Sequence, residues 1–364
     1  MGISQELART PSPVLVVGTG LLGASIGLAL AQRGVDVLLS DVSPSALALA
    51  ADYGAGRPVT VTDRPVLVVV AVPPELTADV VAEQLRRHPD AVVTDVASVK
   101  FQILARLEAA GADLDRYLGS HPMAGRERGG PIAARADLFQ GQPWVIAEHP
   151  RMTPRALELV ERVALDVGAV PVHLDPAEHD RAVALVSHVP QVVATLLAGR
   201  LLDGTPSQLA LAGGGLRDTT RIAASDPGLW LQILAANAPA VGDILQALRD
   251  DLDRVLGALA DVDAPGARRT LTEVFLHGNE GVRRIPGKHG TDATYTDLVV
   301  FVADRPGELA RLFQEIGEIG VNIEDLRLEH SPRAQFGLAE VSVLPERAEE
   351  LARALGERGW QLSR

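Results

Sequence analysis

The sequence contains no cysteine among its 364 residues. That absence excludes a disulfide framework, a thiol nucleophile and a thiolate metal site, and no metal is expected. No uncharged apolar run approaches the roughly 20 residues that a membrane span requires, and the first residues are polar. A cytoplasmic chain without membrane contact is therefore expected. Positive charge is scarce too: a net charge of −13 and a pI near 5.2 argue against a nucleic-acid or anionic-membrane surface. Any local cluster of cations then points to an anionic small molecule. Apolar residues make up 47% of the chain, enough for each of the two or three domains that this length suggests to bury a core.

Among the features present, the first is a short apolar run, Val14-Leu15-Val16-Val17, that reads as a buried parallel strand. Gly18-Thr19-Gly20-Leu21-Leu22-Gly23 follows directly, and residues 24–33 have helical spacing. This is G-x-G-x-x-G in its required context: strand, tight turn, and a helix N-terminus whose free N–H groups suit a pyrophosphate. A second strand over residues 35–40 ends in Asp41, about 20 residues beyond the glycines, where a carboxylate accepts from the adenosine ribose hydroxyls. Neither Val42 nor Ser43 supplies a cation for a 2′-phosphate, so NAD is favoured over NADP. Further apolar strands over 66–72, closed by Val72-Pro73-Pro74, and over 91–94, closed by Asp95, alternate with helices near 76–87 and 101–110. Such alternation implies a doubly wound parallel sheet whose ligands bind outside the carboxyl ends of the strands. Residues 144–147 and 169–173 read as its last strands, giving a dinucleotide-binding domain over 1–174.

Two segments leave such strand ends and are expected to face the nicotinamide. One is Asp95-Val96-Ala97-Ser98-Val99-Lys100, whose polar residues could equally cap the next helix. The other is Gly119-Ser120-His121-Pro122-Met123-Ala124-Gly125-Arg126-Glu127-Arg128-Gly129-Gly130. A residue before proline is pushed toward extended geometry, so His121 is expected on a loop, between glycines that let backbone approach a ligand. The bland alternative is a solvated basic loop.

From Pro176 the pattern becomes all helical, over residues 178–202 with a bend at Pro190, 207–224 and 229–259. The apolar stripe of the first helix is wide enough to need partners on more than one side, so a helical domain over 175–286 that also forms a homodimer is expected. His188 lies on that stripe, where a histidine is more often a satisfied core residue than a ligand. The glycine run 213–215 marks a close approach, and Arg217 and Arg221 follow four residues apart, on one helix face, as guanidinium forks suited to carboxylates. Their alternative role is surface ion pairing with Asp218 and Asp226. Residues 278–290 read as a linker. Beyond it, strand, turn, helix, hairpin and helix follow in the order βαββα over 291–364, with 360–362 as a possible last strand, a split βαβ sandwich.

With these motifs in view, the chain resembles the prephenate/arogenate dehydrogenase family of tyrosine biosynthesis, and its C-terminal part resembles the ACT regulatory module. The likeness rests on Gly18 to Gly23 with Asp41, on Asp95-x-x-Ser98-x-Lys100, on the Gly119 to Gly125 stretch with Glu127, on Ser187-His188-Val189-Pro190 and on Arg217-Asp218-Thr219-Thr220-Arg221. For the C-terminal part it rests on Asp304-x-Pro306-Gly307-x-Leu309 and Gly320-Val321-Asn322-Ile323. The resemblance implies a Rossmann domain, an all-helical dimerisation domain and a ferredoxin-like ACT domain. It implies NAD-dependent oxidative decarboxylation of prephenate to 4-hydroxyphenylpyruvate, or of arogenate to tyrosine. It also implies that His121 is the base, Ser98 its hydrogen-bonded partner, and Arg221 the ligand of a substrate carboxylate. Glu127, Asp218 and Arg217 would form a gate of paired charges, with His188 and Lys100 lining the pocket. Tyrosine would be the effector, bound near Asp304, Pro306, Gly307, Glu308 and Asn322.

Two rivals remain at the level of sequence. A dehydrogenase of another 3-hydroxyacid is expected to use a lysine of the helical domain, and the only lysines are Lys100 and Lys288. A non-catalytic NAD or amino-acid sensor is the other. The sequence does not separate prephenate from arogenate, which differ by a keto or amino group.

Overall fold

The computed structural model describes residues 8–124, 130–286, 295–329 and 336–363. They fall into two compact units, the first of residues 1–197 and 222–247, the second of 198–221 and 248–364.

The first unit begins with β1 (Val14–Val17), α1 (Leu21–Gln32), β2 (Val37–Ser40), α2 (Pro44–Asp52), the two-residue β3 (Arg57–Pro58), β4 (Leu67–Val70), α3 (Pro74–Arg87), β5 (Val92–Asp95) and α4 (Phe101–Ala109). The five strands form one parallel sheet in the order β3-β2-β1-β4-β5, in register Val14↔Val37 and Val14↔Leu67. The strands read as unbroken apolar runs because both faces are covered. Val14, Val16, Leu39, Leu67 and Val69 pack toward α1, and Leu15, Leu38, Val68 and Val70 face the residues of α3 and α4. Burying each such side chain stabilises the sheet by roughly 1.5–3 kcal/mol.

The chain then forms β6 (Gly119–Pro122), β7 (Pro143–Ala147), α5 (Pro154–Asp166) and β8 (Val170–Leu174). These strands do not extend the parallel ladder. They make a separate sheet in which β6 runs antiparallel to β7 and β7 parallel to β8. The sequence suggests a loop for His121, but His121 is in β6. The extended geometry that Pro122 imposes on its predecessor is also that of a strand, and β6 uses it, with His121 opposite Val145.

Residues 176–203 are one continuous helix. It comprises α6 (Pro176–Val183), a π-turn (Ala184–His188) and α7 (Val189–Arg200). Val189 N–H donates to the Ala184 carbonyl, the i→i+5 bond of a widened turn, immediately before Pro190, which has no N–H to give. At 28 residues with mean hydropathy 1.6 this helix is long and apolar enough to cross a membrane by length and composition. The buried His179, Asp180 and His188 along it face the first unit instead.

The expected helix over 207–224 is broken into α8 (Pro206–Leu209) and α9 (Gly214–Thr220). Gly213 caps α9, and a Cβ at Gly213 or Gly215 would meet nothing within 4 Å, so the glycine run interrupts the helix and does not mark a close approach within the chain. The expected helix over 229–259 is likewise two helices, α10 (Pro227–Ala236) and α11 (Ala238–Ala260), bent by 95° at Asn237. The next, α12 (Ala267–Arg283), occupies the first half of the segment read as a linker, whose glycines do not stop an amphipathic helix.

The rest of the second unit is β9 (Thr296–Ala303), α13 (Glu308–Ile319), β10 (Asp325–Glu329), β11 (Phe336–Val343), α14 (Pro345–Glu357) and β12 (Gln361–Ser363). The four strands form an antiparallel sheet in the order β10-β11-β9-β12. One face carries Val300, Val302, Ala339 and Val341 against Leu312, Ile316, Leu351 and Leu355 of the two helices. The short last strand is present, and Gly307 and Gly320 hold left-handed positions at the two ends of α13.

Candidate active site

The glycine-rich turn is built for a close neighbour. Gly18 has φ +96°, and a Cβ there would overlap the Ala71 carbonyl and approach Val72 Cγ1 to 3.2 Å. A Cβ at Gly23 would overlap the Gly18 carbonyl, whereas one at Gly20 would meet nothing within 4 Å. The first turn of α1 has no side-chain cap, so its N–H groups are left for a ligand anion. Asp41 sits beside the turn: its Oδ2 accepts from the Thr19 N–H at 2.6 Å and the Thr19 hydroxyl at 2.8 Å, and its Oδ1 from the Ser43 N–H at 2.7 Å. A carboxylate has about four acceptor sites, so this leaves at least one for a ribose hydroxyl. The open space at Gly20, the uncapped helix end and the fixed acid together fit a dinucleotide. Pro73 is exposed at the start of α3.

Asp95, at the end of β5, points elsewhere. It is fully buried and accepts from the Ala97 N–H at 2.9 Å, the Tyr117 hydroxyl at 2.7 Å and the Lys100 ammonium. Its carboxylate is thus consumed inside the protein, which corrects the expectation that it faces the cofactor. Lys100 is buried with it; burial lowers its pKa and Asp95 opposes that shift. The Tyr117 phenol is pushed well above its usual range by burial and by Asp95. Gly119 closes over this cluster, because a Cβ there would lie 2.8 Å from the Tyr117 hydroxyl, 3.1 Å from Asp95 Oδ2 and 3.2 Å from Lys100 Cδ. The Ser120 hydroxyl donates to the Asp95 carbonyl at 2.8 Å and ties β6 to β5.

His121 follows on the same strand, half-buried. Its Nδ1 lies within hydrogen-bond distance of His179 Nε2, and His179 Nδ1 is 2.7 Å from Asp180 Oδ1. Among the described hydrogen bonds, His179 and not Ser98 is the partner of His121; Ser98 stays half-exposed in the loop after β5. Burial, and then His179, Lys100 and His188, hold the His121 pKa well below 6.5, so its imidazole is neutral at physiological pH. His188 is buried, with its ring edge-on to Trp230 and its Nδ1 3.1 Å from Asn237 Nδ2. Burial first, and then His179, push it to about 4 against the pull of Asp180.

Arg217, Asp218 and Arg221 lie in the second unit, on α9 and just after it, and are exposed. Neither arginine forms an ion pair among the described residues, so the alternative of salt bridges with Asp218 and Asp226 is not realised; Asp226 instead caps α10 through the Gly228 N–H at 2.7 Å. Glu127, with Arg126 and Arg128, lies outside the described residues. In the second unit a cavity of about 270 Å³ is lined by Asp304, Pro306 and Gly307 of the turn, by Leu309 of α13 and by Leu328 and Leu338 of the sheet. Asn322 does not line it; its amide donates to Glu324 at 2.9 Å. Glu308 pairs with Arg311 at 2.9 Å.

Sequence reading missed His179 and Asp180. They lie in the polar run Glu178-His179-Asp180-Arg181, where nothing local sets the two buried members apart from their exposed neighbours; once buried, each needs a partner.

Comparison with known proteins adds to this geometry. Residues 26–173 match the family model of the prephenate dehydrogenase nucleotide-binding domain, and 175–273 that of the prephenate dehydrogenase dimerization domain. A probable prephenate dehydrogenase of Streptomyces niveus is 39% identical over 356 residues, covering 95% of this chain and 98% of that one. The prephenate dehydrogenase of Bacillus subtilis is 26% identical, covering 94% and 96%. The crystal structure of prephenate dehydrogenase from A. aeolicus with hydroxyphenyl propionate and NAD+ superimposes with a TM-score of 0.64 at 28% identity, over 75% of this chain and 99% of that one.

Proposed function

This chain belongs to the prephenate dehydrogenase family, and from that premise we propose a division of labour among its residues. The activity is NAD-dependent prephenate dehydrogenation, the oxidative decarboxylation of prephenate to 4-hydroxyphenylpyruvate. NAD would supply the hydride acceptor for the hydroxyl-bearing ring carbon. Gly18 to Gly23 would hold its pyrophosphate, Asp41 would accept from its ribose, and Val72 and Pro73 would border it. His121 takes the proton of the ring hydroxyl, and the ring carboxylate then leaves as carbon dioxide as the ring becomes aromatic. The observation that carries this reading is the neutral, half-buried imidazole of His121, in the same unit as the uncapped glycine-rich turn. Arg221 binds a substrate carboxylate as a charge-assisted pair, with Arg217, Asp218 and Glu127 as a gate of charges and His188, Lys100 and Ser98 supporting the pocket.

Turnover of NAD with prephenate, followed by NADH absorbance, tests the activity; a chain inert with prephenate but active with arogenate is an arogenate dehydrogenase instead. Arg221→Ala should raise KM by about tenfold to a hundredfold, since a pair with a charged group contributes roughly 1.5–3 kcal/mol. An unchanged KM would move that contact to Arg217.

The chain carries the family's dimerisation domain. Leu185, Val186 and Leu196, each at least 60% exposed on the 176–203 helix, support a homodimer formed there. A monomeric mass by light scattering would refute it. The antiparallel βαββαβ unit is read as an ACT-like, ferredoxin-like regulatory domain. Tyrosine is its effector, seated in the cavity beside Asp304, Pro306 and Gly307 at the start of α13.

A further inference from the structure

The hydrogen positions along the histidine pair follow from Asp180. Its Oδ1 accepts from the Lys100 backbone N–H at 2.8 Å and its Oδ2 from that of Phe101 at 3.0 Å, so its carboxylate is held by the first residues of α4. An ionised carboxylate can only accept, and the 2.7 Å contact with His179 therefore has the His179 Nδ1–H as donor. With a single ring proton, on Nδ1, His179 carries its lone pair on Nε2. The 2.9 Å contact with His121 must have the His121 Nδ1–H as donor, which leaves His121 Nε2 bare.

Resting on the reading of His121 as the base, we propose that His179 is a positioning residue that fixes His121 in the Nδ1–H tautomer and, backed by Asp180, takes over its positive charge during turnover. The ring O–H bond breaks and an Nε2–H bond forms on His121. The Nδ1 proton of His121 passes to Nε2 of His179, so that His121 is again neutral and the new imidazolium lies against the Asp180 carboxylate.

Charge balance gives this store a purpose. Prephenate dianion and the oxidised cofactor yield a monoanionic product, carbon dioxide and the reduced cofactor, so no proton is released overall. The phenolate formed as the carboxylate departs must take a proton back, and the same two shifts in reverse supply it. His179 is fully buried, which keeps that proton from exchanging with solvent in the interval. Lys100, which disfavours a cation on His121, is the reason to move the charge one ring further, toward a carboxylate. The carboxylate–imidazole half of the arrangement does what a buried acid does elsewhere, selecting a tautomer and stabilising an imidazolium without itself being protonated.

The test reads the tautomer directly, by nitrogen NMR of the histidine-labelled resting protein without cofactor or substrate. The His121 signals are assigned by their loss in His121→Asn. Nδ1 protonated and Nε2 bare is the expected state, and an Nε2–H tautomer would overturn the proposal. In parallel, His179→Gln, which keeps a hydrogen bond but cannot accept a proton, should lower kcat by about tenfold to a hundredfold with KM for prephenate within about threefold. A folded His179→Gln enzyme with kcat within about twofold of wild type would also overturn it. Failure of the wild-type chain to turn over prephenate strikes the functional reading instead, and leaves the tautomer measurement standing.

Discussion

Nδ1 of His121 stands 2.9 Å from Nε2 of His179, and the two rings meet edge to face, 77° apart with centroids separated by 5.1 Å. A second imidazole thus occupies the inner nitrogen of His121. The outer nitrogen alone is left for chemistry.

The pH dependence of His121 follows from that enclosure. Its pKa is lowered, by burial first and then by His179, Lys100 and His188, with Asp180 on the far side of His179. The base is therefore active above that lowered value, and kcat/KM should be flat from neutrality upward and fall only in acid, with an apparent pKa below 6.5. His121→Asn should lower kcat by about 10²- to 10⁴-fold with KM little changed. A variant that keeps kcat within about threefold would remove His121 from the chemistry. Stability should share the direction. His188 titrates near 4 when folded and near 6.5 when unfolded, so the unfolded chain binds the extra proton and stability falls as pH drops through that window. Denaturant midpoints at pH 7 and pH 5 would show it.

Gly119→Ala should destabilise the fold and weaken activity together. The added methyl would meet the Tyr117 hydroxyl at 2.8 Å and Asp95 Oδ2 at 3.1 Å, both held in the buried cluster with Lys100. Overpacking of this kind costs about 1–3 kcal/mol, which in a unit of this size lowers Tm by roughly 2–4 °C for each kcal/mol. An unchanged Tm would mean that the cluster yields without cost.

Asp41 should set the preference for NAD. Its carboxylate is pinned by Thr19 and Ser43, so it cannot swing away from a 2′-phosphate placed at the ribose edge. Like charges forced together cost several kcal/mol, and a preference for NAD of roughly tenfold or more in kcat/KM is expected. A lower KM for NADP than for NAD would sink this. Asp41→Asn should narrow the gap.

Tyrosine should inhibit the full-length enzyme, and a chain ending after Pro286 should escape that inhibition while retaining turnover. The cavity lies beside Asp304 and Gly307 at the start of α13, which has no side-chain cap and so suits a carboxylate. Inhibition that survives the truncation would place the effector elsewhere.

The parallel sheet was legible because β1, β2, β4 and β5 are buried on both faces and announce themselves as apolar runs. The antiparallel turn of β6 was not, since Gly119-Ser120-His121-Pro122 has the composition of a loop and becomes a strand only through its pairing with β7. The glycine-rich turn and Asp41 could be placed because a local spacing encodes them. Asp95 and Lys100 stood in the right loop, but Tyr117, which binds the Asp95 carboxylate, and Asp180, which accepts from the Lys100 N–H, arrive from outside it. Helix breaks at Gly213 and Asn237 were similarly hidden, because apolar spacing continues through both. Arg217 and Arg221 were legible as cations on one short stretch and no further.

Residues nine apart in an unbroken α-helix are roughly half a turn out of phase, since each residue advances the helix by about 100°. His179 and His188 are nine apart, yet His179 lowers the pKa of His188 and both lower that of His121. The widened turn at Ala184–His188 supplies part of the missing rotation, because a turn closed over five residues winds more slowly than one closed over four. Angular phase along one helix, shifted by a single widened turn, therefore lets both buried imidazoles stay inside the fold, one of them in contact with His121. The same amino acids wound without that turn would set the two rings half a turn apart, one of them aimed at the opposite side.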